Sequence, residues 1–223
     1  DGAKLAFQEA SDSGNLLGGE TFTILEADST CVDAAAATAA AEGLVADGVA
    51  AIMGADCSGV TKAINASVAV PNGILMVSPS ATSPALSKVP DAGTFWRTAP
   101  SDAKGGQILA QIALDRGLTS VAITYENSDY GKGLSEVFAA AFAAGGGTVT
   151  TNDPHENGKG DYSAEVGVLA SAGGDALAVL GYLDQAGGKI VQGALDSGAF
   201  DLFVLGDGMI GQALVDNIGS DLE

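Results

Sequence analysis

The sequence predicts an α/β fold in which parallel sheets are flanked by helices. Short apolar runs alternate with helical patterns along the chain. The apolar runs lack a strict polar–apolar alternation, which is typical of strands with both faces covered. Apolar residues make up 47% of the 223 residues, enough to bury a sizeable core.

The first part of the chain predicts three helices and three strands. One helix is Ala-rich, and Ala has the highest helix propensity. Another is expected to end at Pro71 and Gly73. The predicted helices span residues 2–13, 32–46 and 58–70, and the predicted strands span 21–27, 50–53 and 74–77. Residues 78–103 carry four prolines and many serines, so we expect loop there.

After this interruption the alternation resumes and predicts a second set of elements. The predicted strands span residues 120–125, 148–151, 176–180 and 202–205, and the predicted helices span 104–116, 130–144, 162–172, 185–197 and 212–218. We therefore expect two Rossmann-like lobes joined by a hinge. The first spans residues 1–98, the hinge crossing 99–102, and the second lobe 103–223.

Charge excludes several classes of function. The sequence contains nine Lys and Arg residues and 28 Asp and Glu residues, which gives a formal net charge of −19. Nucleic acid and anionic membrane surfaces would both be repelled, so we expect neither as a partner. No run of 18 apolar residues is free of charge, so we expect no transmembrane helix. The chain opens at Asp1 in a predicted helix, so we expect no signal peptide within it.

Cys31 and Cys57 are the only cysteines. They form either one disulfide or two reduced core thiols. Each follows a predicted strand at the same end, and adjacent parallel strands bring those ends together. The positions therefore favour a disulfide and, with it, an exported protein.

Hydroxyl-bearing residues follow two predicted strands of the first lobe, where open α/β sheets bind ligands. Ser58 starts a helix and would suit a carboxylate, although a helix-capping role is an alternative. The loop after the strand 74–77 offers hydroxyl groups and free carbonyls, or is an ordinary polar turn. Its hydroxyl residues are Ser78, Ser80, Thr82 and Ser83.

Three strand ends of the second lobe present Tyr130, Tyr182 and Asp207. Each residue alone is compatible with a structural role. Together they predict two amphipathic rings and one carboxylate facing a small polar ligand.

The segment GDGMIG at 206–211 matches the dinucleotide-binding pattern GxGxxG after a strand and before a helix. It therefore gives an alternative function, an NAD-dependent oxidoreductase. Two features disfavour this alternative. The segment closes the chain instead of opening a domain, and no second strand with an acidic residue follows it.

Other catalytic and metal-binding patterns are absent from the sequence. It holds no GxxxxGK[ST], GxSxG or HExxH motif, and its single histidine, His155, lies in a polar segment where we expect it to be solvated. We expect no metal, no cofactor and no catalysis.

Several segments together resemble the branched-chain amino-acid (Leu/Ile/Val) binding proteins of ABC importers, which have the type I periplasmic-binding-protein fold. The resemblance covers essentially the whole chain. The segments are DGAKLAFQEA, LEADSTCVDAAAA, IMGADCSGVT, GILMVSPSATSPALS, FWRTAPSD and YENSDYGKGL.

This resemblance implies a ligand set and a role. Ser58 and Thr82 would hold the α-carboxylate, and the Ser80 carbonyl with Asp207 the α-ammonium. Ala81 would lie in the same loop, while Tyr130 and Tyr182 would close over the ligand. Cys31 and Cys57 match the family's disulfide. The family implies a periplasmic monomer, free or lipid-anchored, that delivers its ligand to an ABC permease after hinge closure.

Two departures from the family pattern stand out. Asp56 occupies a position where the family has an apolar residue, and it either points to solvent or selects a polar or cationic ligand side chain. The chain also lacks the family's first strand and its C-terminal third, so we expect an incomplete first lobe. An amide- or amino-acid-sensing regulator of the same fold is the second alternative function.

Overall fold

The computed structural model describes residues 2–219. Contacts between residues divide the chain into two compact units. The first contains the residues up to Ala81 together with Pro90–Ala99, and the second contains Thr82–Val89 and the described residues from Pro100 onward. The lobe limits expected at 98 and 103 stay a prediction.

The first unit contains four helices and a three-stranded parallel sheet in its described part. The helices are α1 (Gly2–Asp12), α2 (Ala34–Ala46), α3 (Ser58–Ile64) and α4 (Val70–Asn72), and the strands are β1 (Ala51–Met53), β2 (Leu75–Ser78) and β3 (Phe95–Arg97). The strand order is β1-β2-β3. Ile52 pairs with Met76, and Met76 with Phe95.

Local capping explains where two first-unit helices begin and end. Asp33 precedes α2, and its carboxylate accepts hydrogen bonds from the backbone N–H groups of Ala35 and Ala36. The predicted helix 58–70 continues to Asn72 through a π-helical turn, so Pro71 does not end it. Gly73 ends it by adopting a φ of 62°, a left-handed conformation that suits glycine.

Two expectations for the first unit are wrong. Residues 21–27, predicted as a strand, pair with no strand of the described chain, and Phe22 is 47% exposed. An apolar pattern becomes a strand only where a neighbour completes the hydrogen bonds. Conversely, β3 forms inside the stretch predicted as loop. A 3₁₀ turn at Pro84–Lys88, which belongs to the second unit, also forms inside that stretch.

One face of the first sheet is more exposed than expected. Met76 is fully buried, whereas Met53 and Trp96 on the opposite face are 46% and 63% exposed. That face of the first sheet is therefore only partly covered. The disulfide Cys31–Cys57 is confirmed, with 5.2 Å between the two Cα atoms.

The second unit contains a four-stranded parallel sheet in the order β5-β4-β6-β7, with helices on both faces. The strands are β4 (Ser120–Glu126), β5 (Thr148–His155), β6 (Ala176–Leu180) and β7 (Phe203–Leu205), and the helices are α5 (Asp102–Asp115), α6 (Asp129–Ala144), α7 (Ser163–Ala172), α8 (Gly188–Asp196) and α9 (Gln212–Ile218). Every residue of β6 is buried. The expected alternation is confirmed here.

Alternate residues of the second sheet enter two separate cores. Leu177 and Val179 of β6 pack in one core with residues of α7 and α8. Ala178 and Leu180 of the same strand pack in the other with residues of α5 and α6. Because both faces carry apolar side chains, the strand has no polar alternation.

Candidate functional site

The strand ends of the first unit are tied together by hydroxyl groups. The carbonyl of Ala55, just after β1, accepts hydrogen bonds from Ser78 Oγ at 2.5 Å and Thr61 Oγ1 at 2.9 Å. Ser80 Oγ donates to the Asp56 carbonyl at 2.9 Å. These bonds hold the loop after β2 against the loop after β1. The hydroxyls of Ser78 and Ser80 therefore fix the shape of this edge.

The remaining first-unit residues predicted for the site differ in exposure. Ser58 begins α3 and is buried, whereas Asp56 is exposed. Ala81 is buried, with its N–H donating to Ser78 Oγ at 3.0 Å and its carbonyl accepting from Arg97 Nη1 at 3.0 Å. This edge thus combines buried groups with one exposed carboxylate.

Thr82 belongs by its contacts to the second unit. It is buried, and its carbonyl accepts a hydrogen bond from the Asp102 N–H at 2.9 Å. Asp102, also buried, is the first residue of α5. Thr82 is therefore hydrogen-bonded to the first residue of α5.

The second unit brings Tyr130, Tyr182 and Asp207 into one cluster. The Tyr130 hydroxyl donates to Asp207 Oδ1 at 2.8 Å. The two tyrosine rings stack, with 4.9 Å between centroids and 23° between planes. Tyr130 is 3% exposed, Tyr182 is half-buried and Asp207 is exposed. One buried hydroxyl therefore connects the aromatic pair to an accessible carboxylate.

The strand order explains how these three residues meet. Tyr130 lies in the first turn of α6, just after β4, and Ser128 caps that helix by accepting from the Gly131 N–H at 3.1 Å. Tyr182 follows β6 and Asp207 follows β7. Since β4, β6 and β7 are neighbours in a parallel sheet, their carboxyl ends lie at one edge.

Three backbone amides of the loop GDGMIG are already hydrogen-bonded within the protein. Its Gly208 N–H donates to the Tyr130 hydroxyl at 3.3 Å, and the Met209 and Ile210 N–H groups donate to the carbonyls of Gly206 and Asp207. A dinucleotide loop needs its amides for the pyrophosphate. The geometry disfavours the NAD alternative.

The sequence did not predict a second polar cluster, formed by Glu126 and His155 at the ends of β4 and β5. Glu126 is buried and accepts hydrogen bonds from Asn157 Nδ2 and from Ser128 Oγ, the latter at 3.3 Å. Burial raises the pKa of Glu126 above its usual value, and the Asn157 bond partly opposes that shift. The sequence did contain a signal for this cluster, because two adjacent strands both end on titratable residues.

The expectation that His155 is solvated is wrong, because it is 1% exposed at the end of β5. The strand runs four residues further than predicted and includes Pro154. A proline is tolerated there because β5 is an edge strand. Burial lowers the pKa of His155 to about 4.

The described residues show neither a metal site nor a membrane span. Within residues 2–219, no group of three or more His, Cys, Asp or Glu side chains could hold a metal ion. No helix in the same range is long and apolar enough to cross a membrane.

Residues 1–170 match the family model described as the receptor family ligand binding region. The chain is also similar to the Leu/Ile/Val-binding protein BraC3 of Rhizobium johnstonii. The two are 31% identical over 210 residues, which cover 94% of this chain and 56% of the relative. The chain thus spans a little over half the length of that relative.

Solved structures show the same similarity. The leucine binding protein LivK of Thermotoga maritima superposes with a TM-score of 0.86 at 27% identity, covering 97% of this chain and 61% of that one. The branched-chain amino acid transporter substrate binding protein LivJ of Streptococcus pneumoniae, solved with isoleucine, gives 0.82 at 28% identity, covering 96% and 60%. The resemblance to branched-chain amino-acid binding proteins is confirmed, and the sensing-regulator alternative is not favoured. The chain belongs to the receptor family ligand binding region family and has the type I periplasmic-binding-protein fold.

Proposed function

We propose that this chain binds an α-amino acid for an ABC importer and catalyses no reaction. The observation that carries the proposal is the cluster of Tyr130, Tyr182 and Asp207 at the strand ends of the second unit. An accessible carboxylate beside stacked aromatic rings suits an ammonium group and an adjoining apolar side chain. Relatives named Leu/Ile/Val-binding protein support the same ligand class.

The proposed contacts divide by ligand group. Ser58 and Thr82 bind the α-carboxylate, and their burial supports the role because desolvated hydroxyls bind a carboxylate more strongly than exposed ones. The carbonyl of Ser80 and the carboxylate of Asp207 bind the α-ammonium. Ala81 lies in the same loop, and Tyr130 and Tyr182 line the aromatic side.

Asp56 bears on the choice of amino acid. Its side chain is exposed, and its own carbonyl receives the Ser80 hydroxyl. Water solvates an exposed carboxylate, so Asp56 does not need a cationic group of the ligand as a partner. We therefore place Asp56 outside the contacts with the ligand side chain, which favours an aliphatic amino acid.

Export and delivery are part of the same proposal. The disulfide Cys31–Cys57 supports a location outside the cytoplasm, since disulfides persist in oxidising compartments. The relatives include ABC transporter substrate-binding proteins, which supports a permease as the partner. We propose that the protein acts as a monomer.

Calorimetric titration of the protein with leucine, isoleucine, valine, lysine and NAD tests this function. We expect binding of the aliphatic amino acids and no binding of NAD. Asp207→Ala and Thr82→Ala should each weaken leucine binding by about 1–3 kcal/mol, because each leaves a charged ligand group unpaired. Asp201→Ala, at an exposed carboxylate outside the site, is the matched control. Wild-type affinity in both site variants would refute the assignment.

A further inference from the structure

The hydroxyl of Tyr130 is fully engaged by the loop that carries Asp207. It donates to Asp207 Oδ1 at 2.8 Å and accepts from the Gly208 N–H at 3.3 Å. The tyrosine itself is 3% exposed. Its polar atom therefore contacts the loop, while its ring stacks on Tyr182.

The backbone around Asp207 closes tightly on this hydroxyl. A Cβ atom added to Gly206 would lie 3.4 Å from the Tyr130 oxygen, and one added to Gly208 would lie 3.1 Å from it. At Gly208 the added atom would also lie 2.5 Å from the Gly181 carbonyl. Two glycines thus let the loop approach Tyr130 on both sides of Asp207.

The electrostatic environment keeps the Tyr130 hydroxyl protonated. Burial raises the pKa of Tyr130, and the negative charges of Asp207 and, more weakly, buried Asp102 raise it further. Tyr130 consequently remains a hydrogen-bond donor at physiological pH. Within residues 2–219, no donor bonds the other oxygen of the carboxylate, Asp207 Oδ2, and Asp207 is exposed.

We propose that Tyr130 is a positioning residue, which holds Asp207 through Oδ1 so that Oδ2 is presented to the α-ammonium of the ligand. This inference depends on the proposed amino-acid binding. It gives Tyr130 a role in selecting ligands that carry an ammonium group. An amino acid would gain from the oriented carboxylate, whereas a carboxylic acid of the same shape would not.

Calorimetric titration of the Tyr130→Phe variant with ligand tests the proposal, because this change removes one oxygen and keeps the ring. The probes are leucine and 4-methylpentanoate, which has the leucine skeleton without the ammonium group. We expect leucine affinity to fall about tenfold and 4-methylpentanoate affinity to stay unchanged. Tyr162→Phe is the control. It removes another buried hydroxyl, one that donates to the Glu156 carbonyl, and it should leave leucine affinity unchanged.

A double-mutant cycle with Asp207 tests the same hydrogen bond between Tyr130 and Asp207. Asp207→Asn should weaken leucine binding more than Tyr130→Phe does, and combining the two should add little to Asp207→Asn alone. Thermal unfolding of each variant establishes that it is folded.

The possible outcomes distinguish failure of the positioning role of Tyr130 from failure of the proposed amino-acid binding. If the wild-type protein binds neither leucine nor any other amino acid tested, the proposed function fails and the inference fails with it. If wild-type binds leucine but Tyr130→Phe binds it equally well, only the positioning role is overturned. Equal losses for leucine and 4-methylpentanoate, or effects that multiply in the double variant, would mean that Tyr130 acts on the ligand directly, and they would also overturn it.

Discussion

The imidazole of His155 lies inside the second unit with its Nδ1 2.9 Å from the hydroxyl of Thr124. Both residues are buried. The other ring nitrogen, Nε2, is also buried and has no hydrogen-bond partner among the described residues. Burial lowers the pKa of His155 to about 4, although Glu165 and Glu156 act in the opposite direction. The ring is therefore neutral at pH 7.

Acidification should destabilise the protein through His155. A histidine with an ordinary pKa of 6.5 when unfolded and about 4 when folded binds its proton more readily in the unfolded chain. Its contribution is complete above pH 6.5 and is lost as pH falls towards 4, by roughly 3 kcal/mol in all. Urea unfolding at several pH values should show this loss, and His155→Gln should flatten it. An equally steep loss in the variant would contradict the assignment.

Glu126 provides a control of opposite sign. Its raised folded pKa means that the folded state takes up this proton first, so its contribution to stability grows as pH falls towards 4.5. Glu126→Gln removes this compensation. The free energy of unfolding of that variant should therefore fall more steeply with acidification than that of the wild type.

Asp175 should stabilise the start of the second sheet at neutral pH. One of its oxygens accepts hydrogen bonds from the Thr119 N–H at 2.7 Å, the Thr119 hydroxyl at 2.7 Å and the Ser120 N–H at 2.9 Å. These bonds lower its pKa to about 2, so the stabilisation is present above pH 3.8 and is lost below it. We expect Asp175→Asn to lower the urea midpoint at pH 7. Asp201→Asn, at another exposed aspartate, should leave that midpoint unchanged, and equal midpoints in both variants would contradict the role of Asp175.

The strand ends were predictable because they depend on chain order and local pattern. An apolar run followed by a polar residue places Tyr130, Tyr182 and Asp207 at the carboxyl edge of a parallel sheet. The bond between Tyr130 and Asp207 was not predictable, because it joins residues 77 positions apart and depends on strand order.

The predictions made from the sequence were wrong where tertiary contacts decide the local structure. Residues 21–27 have a strand pattern, but a strand needs a hydrogen-bonding neighbour. Around His155, the polar composition and Pro154 indicated a loop, whereas pairing of β5 with β4 extends the strand to its end. Burial of a polar group is a property of the packed unit, so composition alone did not predict it.

The disulfide Cys31–Cys57 should be a large contributor to stability. It joins residues separated by 26 positions, and closing such a loop stabilises by about 3–4 kcal/mol on the chain-entropy model. Reduction, or the double change Cys31→Ala with Cys57→Ala, should lower the free energy of unfolding by about this amount. Thiol titration of the unreduced, denatured protein should detect no free thiol, and two titratable thiols would contradict the bond.

Gly208→Ala should weaken ligand binding by displacing Asp207. The added Cβ would lie 2.5 Å from the Gly181 carbonyl, closer than real contacts allow, so the loop must shift. We expect a loss of about 1–3 kcal/mol in stability and at least about tenfold in leucine affinity. Gly167→Ala is the matched control, because Gly167 lies on the exposed side of α7 with nothing within 4 Å of its added Cβ. That variant should gain about 0.5–1 kcal/mol in stability and keep its leucine affinity. If Gly208→Ala binds leucine as the wild type does, the close approach of this loop to Tyr130 and Gly181 is not what sets the position of the carboxylate.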